Sequence, residues 1–81
     1  MASALQQRRA EKGLSQSQAA QSANINLRLY QYYEQNYRDI SKAKAETIIR
    51  ICLALGCKAS DIITDESARS AWLDYEQAMG K

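Results

Sequence analysis

Histidine is missing from this sequence of 81 residues, which removes the side chain that most often acts as general base and metal ligand. Nucleophile pairs of the serine–histidine and cysteine–histidine kinds are therefore unavailable. The three glycines, Gly13, Gly56 and Gly80, lie more than 20 residues apart, so no glycine-rich phosphate loop can form. We expect no enzyme, no catalytic residues and no bound cofactor.

Cysteine is scarce, and long apolar runs are missing. Cys52 and Cys57 alone, without histidine, fall short of the four ligands of a zinc site, so we expect no metal. We expect both to be small buried apolar residues in a reducing cytoplasm. No apolar run approaches the ~20 residues that cross a bilayer, and no signal peptide opens the chain. The sequence thus predicts a cytoplasmic protein with no membrane partner.

Proline is absent altogether, and the signals for β-strands are poor. No run of β-branched residues alternates with polar ones, whereas helices with few interruptions are favoured. A chain of this length forms one domain with a modest core, burying about 60–65% of its unfolded surface. We therefore predict an all-α fold.

Charge is small in total but uneven along the chain. Residues 1–60 carry nine lysines or arginines against four acidic residues, and residues 61–81 carry two against five. A basic body with an acidic end is typical of a protein with one DNA-facing surface. Ordinary solvated charge would explain the same distribution, so charge alone does not decide the function.

Residues 13–35 predict two short helices joined by a tight turn. Ser15 and Gln18 can form a capping box at the start of a helix over Gln16–Ala23. Asn24 tolerates the left-handed backbone that the turn requires, and Asn26 can cap a helix from Leu27 to about Gln35. Three small side chains, Ala19, Ala20 and Ala23, allow a close crossing, and Ile25 can fill the space between the helices. These features are typical of a DNA-reading helix-turn-helix.

Six segments follow one another in a consistent order and spacing. They are Gly13-Leu14-Ser15-Gln16, Ala19-Ala20, Tyr33-Glu34-Gln35-Asn36, Glu46-Thr47-Ile48-Ile49-Arg50-Ile51, Ala54-Leu55-Gly56-Cys57 and Asp61-Ile62-Ile63. Together they resemble the Cro and phage-repressor (Xre-type) helix-turn-helix family. The resemblance runs from about Leu5 to Ile63. It implies a compact five-helix bundle that binds operator DNA in a bacterium or phage. Asn36 stands where the family usually has glycine, at a left-handed helix end, and asparagine is the next-best residue there.

The other helices are predicted from caps and apolar spacing. Ser3 and Gln6 can form a capping box for a first helix that Gly13 ends. Ser41 can cap a fourth helix over residues 42–55, after a loop from which Ile40 points inward. The core-facing residues of this helix are predicted to be Ala45, Ile48, Ile49, Cys52 and Leu55. Ala59, Ile62 and Ile63 fit a short fifth helix that closes the core.

Residues 64–81 lie outside the resemblance and predict a sixth helix capped by Ser67. One side of this helix carries Ala68, Ala71, Trp72, Tyr75 and Met79. Such an apolar stripe must be covered, either by the helix folding back or by dimerisation. We therefore divide the chain into a helix-turn-helix DNA-binding domain, residues 3–63, and a C-terminal helical extension, residues 64–81.

The residues that read bases should lie on the outward face of the third helix. At 100° per residue, Tyr30, Tyr33 and Glu34 point toward the bundle. Arg28 can hold the O6 and N7 atoms of guanine or clamp a phosphate, and Gln31 can read adenine. The predicted base-reading residues are Leu27, Arg28, Gln31 and Tyr32.

Phosphate contacts should come from the surrounding surface. Gln16 lies in the first turn of its helix, where free amides favour an anion. The predicted phosphate-contacting residues are Gln16, Asn26, Gln35, Tyr37, Arg38, Lys42 and Lys44. Solvated charge explains each lysine equally well. The resemblance further implies that Gln16 braces the reading helix and that Arg9 and Glu34 form a structural ion pair.

These observations predict a sequence-specific transcriptional regulator, in the first place a repressor, that binds double-stranded DNA as a homodimer. The C-terminal helix is a candidate for the dimer interface. One alternative is the antitoxin of a toxin–antitoxin pair, with the acidic end holding a protein partner. Another is a protein-interaction module that docks through the third helix with Leu27, Leu29, Tyr30 and Tyr32.

Overall fold

Six α-helices in succession make up the fold, as a computed structural model that describes residues 3–80 shows. They are α1 (Ala4–Lys12), α2 (Gln16–Ala23), α3 (Leu27–Glu34), α4 (Ala45–Leu55), α5 (Ala59–Ile62) and α6 (Glu66–Met79), with a 3-10 turn at Ile40–Lys42. No β-strand occurs within the described residues, which confirms the all-α class. None of these helices is both long and apolar enough to span a membrane.

The core lies between α1 to α5, and α2 crosses its centre. Ala19, Ala20 and Ala23 are almost completely buried, and α2 packs against both α3 and α4. Their side chains end at Cβ, so the neighbouring helices can approach closely. The largest fully buried side chains are Tyr30, Ile51 and Ile63.

Four of the helices end in the same way. A residue with positive φ follows each of them: Gly13 (73°), Asn24 (56°), Asn36 (62°) and Gly56 (65°). The next residue then donates its N–H to the carbonyl five positions earlier, which is the Schellman motif. These bonds are Leu14 to Arg9 (3.2 Å), Ile25 to Ala20 (3.0 Å), Tyr37 to Tyr32 (2.8 Å) and Cys57 to Cys52 (3.1 Å). The left-handed turns predicted at both asparagines are confirmed.

Side-chain caps fix where the first three helices begin. The capping box of Ser15 and Gln18 is complete, with bonds of 3.1 and 2.9 Å. Oδ1 of Asn26 accepts the N–H groups of Arg28 and Leu29. Ser3 accepts the Gln6 N–H at 3.1 Å, which is one half of the box predicted there. Polar side chains thus fix the residues at which α2 and α3 begin.

The prediction that Ser41 caps a helix starting at residue 42 is wrong. Asp39 accepts both the N–H and the hydroxyl of Ser41, at 3.0 and 2.7 Å, and caps the 3-10 turn instead. Ala43 is extended, and α4 begins only at Ala45, with no side-chain cap from Lys44. The Ser41 hydroxyl therefore donates to Asp39 and does not cap a helix.

The core-facing stripe predicted for α4 is also partly wrong. Ile48 and Leu55 are buried as predicted, but Ile51 is completely buried, whereas Ile49 is 48% exposed and Ala45 is exposed. Three isoleucines within four positions offer two stripes of helical spacing, and the stripe through Ile51 faces the core. Ile40 is buried as predicted, and so are the three apolar residues of the α5 segment.

The C-terminal helix folds back on the bundle, which is one of the two arrangements predicted for it. Asp65 caps α6 by accepting the N–H of Ala68 at 3.0 Å, so the prediction of Ser67 as the cap is wrong. Ser60 donates its hydroxyl to Glu76 at 2.6 Å and joins α5 to α6. Trp72 packs against the core, yet no residue of α6 is itself buried. Lys81, the last residue of the predicted extension, lies outside the described residues.

Candidate nucleic-acid interface

The two faces of α3 differ as its sequence predicts. Tyr30, Tyr33 and Glu34 are buried against the bundle. On the outward side Arg28 and Gln35 are exposed, and Leu27 is 38% exposed. The guanidinium of Arg28 therefore projects from the protein surface near the start of the helix. Gln31 and Tyr32 are only half-buried, so the outward face is narrower than the 100° rule alone indicates.

A bidentate ion pair fixes α3 against α1. Nε and Nη2 of Arg9 donate to the two carboxylate oxygens of Glu34, each at 2.9 Å. Nη1 of the same guanidinium donates to the carbonyl of Leu14 at 2.8 Å. Both side chains are largely withdrawn from water, with exposures of 17% and 2%. The pair that the resemblance implies is present and joins α1, the α1–α2 turn and α3.

Two glutamines extend this network to the outward face. Nε2 of Gln16 donates to Glu34 at 3.0 Å, and Oε1 of Gln16 accepts from Nε2 of Gln31 at 3.0 Å. Gln16 thus braces α3 from α2. A phosphate contact by Gln16 would use its second side-chain N–H or its backbone N–H. Gln31 keeps Oε1 and one N–H for a base, and these are the two atoms that a bidentate contact with adenine uses.

The electrostatics keep both members of the ion pair charged. Burial raises the pKa of Glu34, but hydrogen bonds from Arg9 and Gln16 outweigh it and hold the pKa below its ordinary value. The bond to Glu34 likewise raises the pKa of Arg9. Burial also raises the pKa of Tyr30, whose hydroxyl lies near Glu34 without a well-formed hydrogen bond. The corner beneath α3 is therefore largely withdrawn from water and holds a negative charge on Glu34 paired with a positive charge on Arg9.

The C-terminal turn of α3 brings three of the predicted contact residues together. The rings of Tyr32 and Tyr37 meet edge to face, with centroids 6.0 Å apart. The guanidinium carbon of Arg38 lies 5.9 Å from the ring centroid of Tyr32, close enough for a cation–π contact. Tyr32 is therefore partly covered by its neighbours, while Tyr37 is 74% exposed.

A shallow recess beside this turn contains two of the predicted phosphate-contacting side chains. Its volume is about 230 Å³, and Arg38, Lys42 and Asp39 line it together with Tyr33 and Ala43. Sequence reasoning missed Asp39, although the Asp-x-Ser pattern with Ser41 is a known turn signal. Hydrogen bonds from Ser41 lower the pKa of Asp39, so the recess that holds the two cations also holds a negative charge. Lys44 is exposed at the start of α4, and Asn26 is exposed at the start of α3.

The apolar docking patch considered on α3 does not form a continuous surface. Tyr30 is completely buried, and Leu29 packs against the core. Tyr32 is half-covered, which leaves Leu27 as the exposed apolar side chain of the four. The outward face of α3 is therefore mixed in character and includes the exposed side chain of Arg28, a residue type that can contact guanine in a DNA groove.

Comparison with known families shows that residues 5–62 match a helix-turn-helix family model. The chain belongs to the Cro and phage-repressor, Xre-like helix-turn-helix family. Members of this family are DNA-binding transcription regulators, so α2 and α3 are the two helices of a DNA-binding motif. Comparisons with curated proteins and with solved structures found no match.

Proposed function

We propose that this helix-turn-helix protein represses transcription by binding, as a homodimer, to a two-fold symmetric operator in double-stranded DNA. The observation that carries the proposal is the exposed guanidinium of Arg28 on a helix that Arg9, Glu34 and Gln16 hold rigidly. A reading helix must project at a fixed angle, because base contacts depend on the placement of a few side chains. No catalytic role is assigned.

Four outward residues of α3 are proposed to read bases. Arg28 would take the O6 and N7 atoms of a guanine, and Gln31 an adenine. Leu27, at the entering end of α3, would pack on the methyl group of a thymine. The edge of Tyr32 that Tyr37 and Arg38 leave uncovered would contact a neighbouring base. A bidentate contact contributes about 1–3 kcal/mol of discrimination.

The surrounding polar residues are proposed to hold the two DNA backbones. Arg38, Lys42 and Lys44 form the basic side of the site, where Tyr37 is also exposed. Gln16 and Asn26 stand at the starts of α2 and α3, where the helix dipoles favour phosphate. Gln35 is exposed at the far end of α3. Such contacts set affinity and register but read no sequence.

The homodimer is proposed to form through the apolar surface between α4 and α6. A groove of about 560 Å³ there is lined by Ala45, Ile49, Ala71, Trp72 and Tyr75, none of them charged. An uncharged apolar surface is complementary to a second copy of itself, and two-fold pairing is the commonest symmetry of soluble oligomers. Two reading helices would then be about 34 Å apart, one turn of DNA. We also propose that residues 3–63 form the DNA-binding domain and that residues 64–81 form a C-terminal extension.

The test is a binding selection from random duplex DNA with the purified chain. A palindromic site should be recovered, and log affinity should fall linearly with log salt, with a slope of about −0.9 per phosphate contacted. Arg28→Ala and Arg28→Lys should both lose preference at one base pair, since lysine keeps the charge but not the planar fork. Recovery of no enriched sequence would overturn the proposal.

A matched pair of lysine variants separates backbone contacts from general charge. Lys42→Ala should weaken binding to all sequences alike and reduce the salt slope by about one. Lys58→Ala removes the same charge at the start of α5 and should leave the slope unchanged. The Lys58 backbone N–H donates to the Asp61 carboxylate there, and the substitution keeps that N–H. Repression is tested by transcription in vitro from a promoter that overlaps the selected site, where added protein should reduce the transcript.

A further inference from the structure

The C-terminal end of α4 brings both cysteines of the chain together. The N–H of Cys57 donates to the carbonyl of Cys52 at 3.1 Å, across the left-handed turn at Gly56. In a Schellman motif the residues joined by this bond turn their side chains toward each other. Accordingly, the side chains of Cys52 and Cys57 are neighbours across this turn.

The end of α3 shows that this contact follows from the backbone. Tyr32 and Tyr37 occupy the same two positions of the same motif, and their backbone bond measures 2.8 Å. Their rings also meet, with centroids 6.0 Å apart. The tyrosine pair thus shows that side chains at these two positions can meet, and the same backbone geometry brings Cys52 and Cys57 together.

The surroundings leave the pair accessible and unequal. Both cysteines are half-buried and neither is enclosed. The hydrogen bond from Cys52 and the charge of Arg8 lower the pKa of Cys57, against burial and the nearby carboxylates of Asp61 and Glu76. The same hydrogen bond and burial raise the pKa of Cys52. We therefore expect Cys57 to be the first of the two thiols to react.

We propose that Cys52 and Cys57 form a reversible thiol–disulfide site at the end of α4. The oxidant is a small-molecule disulfide such as oxidised glutathione. The Cys57 thiolate attacks it, forms a mixed disulfide and releases one thiol. Cys52 then loses its proton and attacks Sγ of Cys57, which forms the intramolecular disulfide and releases the second thiol. Two protein thiols are oxidised, and one external disulfide is reduced to two thiols.

The equilibrium between the dithiol and disulfide forms is measured by equilibrating the folded chain in buffers of reduced and oxidised glutathione. After acid quenching, trypsin cleaves after Arg50 and Lys58, so both cysteines lie in one peptide, residues 51–58. An internal disulfide lowers the mass of this peptide by two hydrogen atoms. The equilibrium constant for the disulfide should be about tenfold or more larger in the folded chain than in urea, because the fold holds the sulfurs together. An equal or smaller constant in the folded chain would overturn the proposal.

Two further outcomes decide against the site: glutathione mixed disulfides as the main folded product, or peptides linked between two chains. Cys52→Ser should accumulate the mixed disulfide at Cys57, whereas Cys57→Ser should react at least about tenfold more slowly. If either variant fails to fold, brief alkylation of the unmodified native chain replaces it. Label should appear on Cys57 before Cys52, and the reverse order would contradict the proposed sequence of steps.

Discussion

A single buried carboxylate, that of Glu34, determines how the reading helix is held. Isolated burial would make this charge costly, but Arg9 donates two hydrogen bonds to it and Gln16 donates a third. The family resemblance predicts that Arg9 and Glu34 form an ion pair. The bond from Gln31 to Gln16 was not predicted, because it depends on the rotamers of two long side chains.

Glu34→Gln should destabilise the protein at neutral pH by about 3 kcal/mol, because it leaves the Arg9 guanidinium without its counter-charge. The folded-state pKa of Glu34 is lowered, so its stabilisation is present above the ordinary glutamate pKa of 4.5. That stabilisation is lost as pH falls through the folded-state value. Urea unfolding should therefore show a smaller difference between native and variant proteins at pH about 3 than at pH about 7.

The exposed pair of Glu46 and Arg50 offers the control for this variant, since Glu46 is 71% exposed. Glu46→Gln should cost less than about 1 kcal/mol at either pH. Equal destabilisation by Glu34→Gln at both pH values would show that lost packing, and not charge, accounts for it.

Tyr30→Phe should raise the free energy of unfolding by about 1 kcal/mol. The hydroxyl is completely buried and has no well-formed hydrogen bond within the described residues, so its removal recovers a desolvation cost. Thermal unfolding measures the change. Tyr37→Phe is the control, because Tyr37 is 74% exposed and its substitution should change the free energy of unfolding by less than about 0.5 kcal/mol. A loss of stability would mean that the hydroxyl bonds to Glu34 in solution.

Helix ends were the most predictable feature at the scale of whole elements. Ser15, Asn24 and Asn26 each satisfy a local backbone requirement, so the bounds of α2 and the start of α3 could be predicted from the sequence alone. The start of α4 could not be predicted in this way. Asp39 accepts the Ser41 hydroxyl, and Lys44, the N-cap residue of α4, provides no side-chain cap. Its core-facing stripe was ambiguous as well, since only the packing against α2 distinguishes Ile51 from Ile49.

Asn24→Ala should destabilise the protein by about 1 kcal/mol, because an ordinary side chain strains the left-handed turn between α2 and α3. Asn24→Gly should be neutral or stabilising, since glycine adopts that backbone freely. Chemical denaturation of both variants measures the effect. Equal stability of the two would show that the turn relaxes to another conformation.

At the scale of the molecule, exposed apolar area is concentrated away from the reading helix. Of the six exposed large apolar side chains within residues 3–80, four lie on α4 and α6: Ile49, Leu53, Tyr75 and Met79. The sequence predicted a C-terminal apolar stripe but could not show that α4 would contribute to the same surface. This is the surface proposed for the homodimer.

Leu53→Glu should raise the dimer dissociation constant at least about tenfold, by placing a charge beside the apolar groove. Leu53 is 77% exposed, so the fold itself should be unaffected. Sedimentation velocity across a concentration series measures the constant. The control is Ser70→Glu, which adds the same charge at an exposed position of α6, about 200° around the helix from Trp72. This variant should leave the dimer dissociation constant unchanged. Unchanged association in Leu53→Glu would place the interface elsewhere.

The shallow docking of α6 has a dynamic consequence. A helix with no buried residue can open without unfolding the core, so its amide protons should exchange with solvent at least about tenfold faster than those of α4. Deuterium uptake followed by mass spectrometry measures this difference. Raising the protein concentration should slow uptake in α6 selectively if a second copy covers it. Deuterium uptake at the amides of α6 would then measure the fraction of the protein that is assembled as the homodimer.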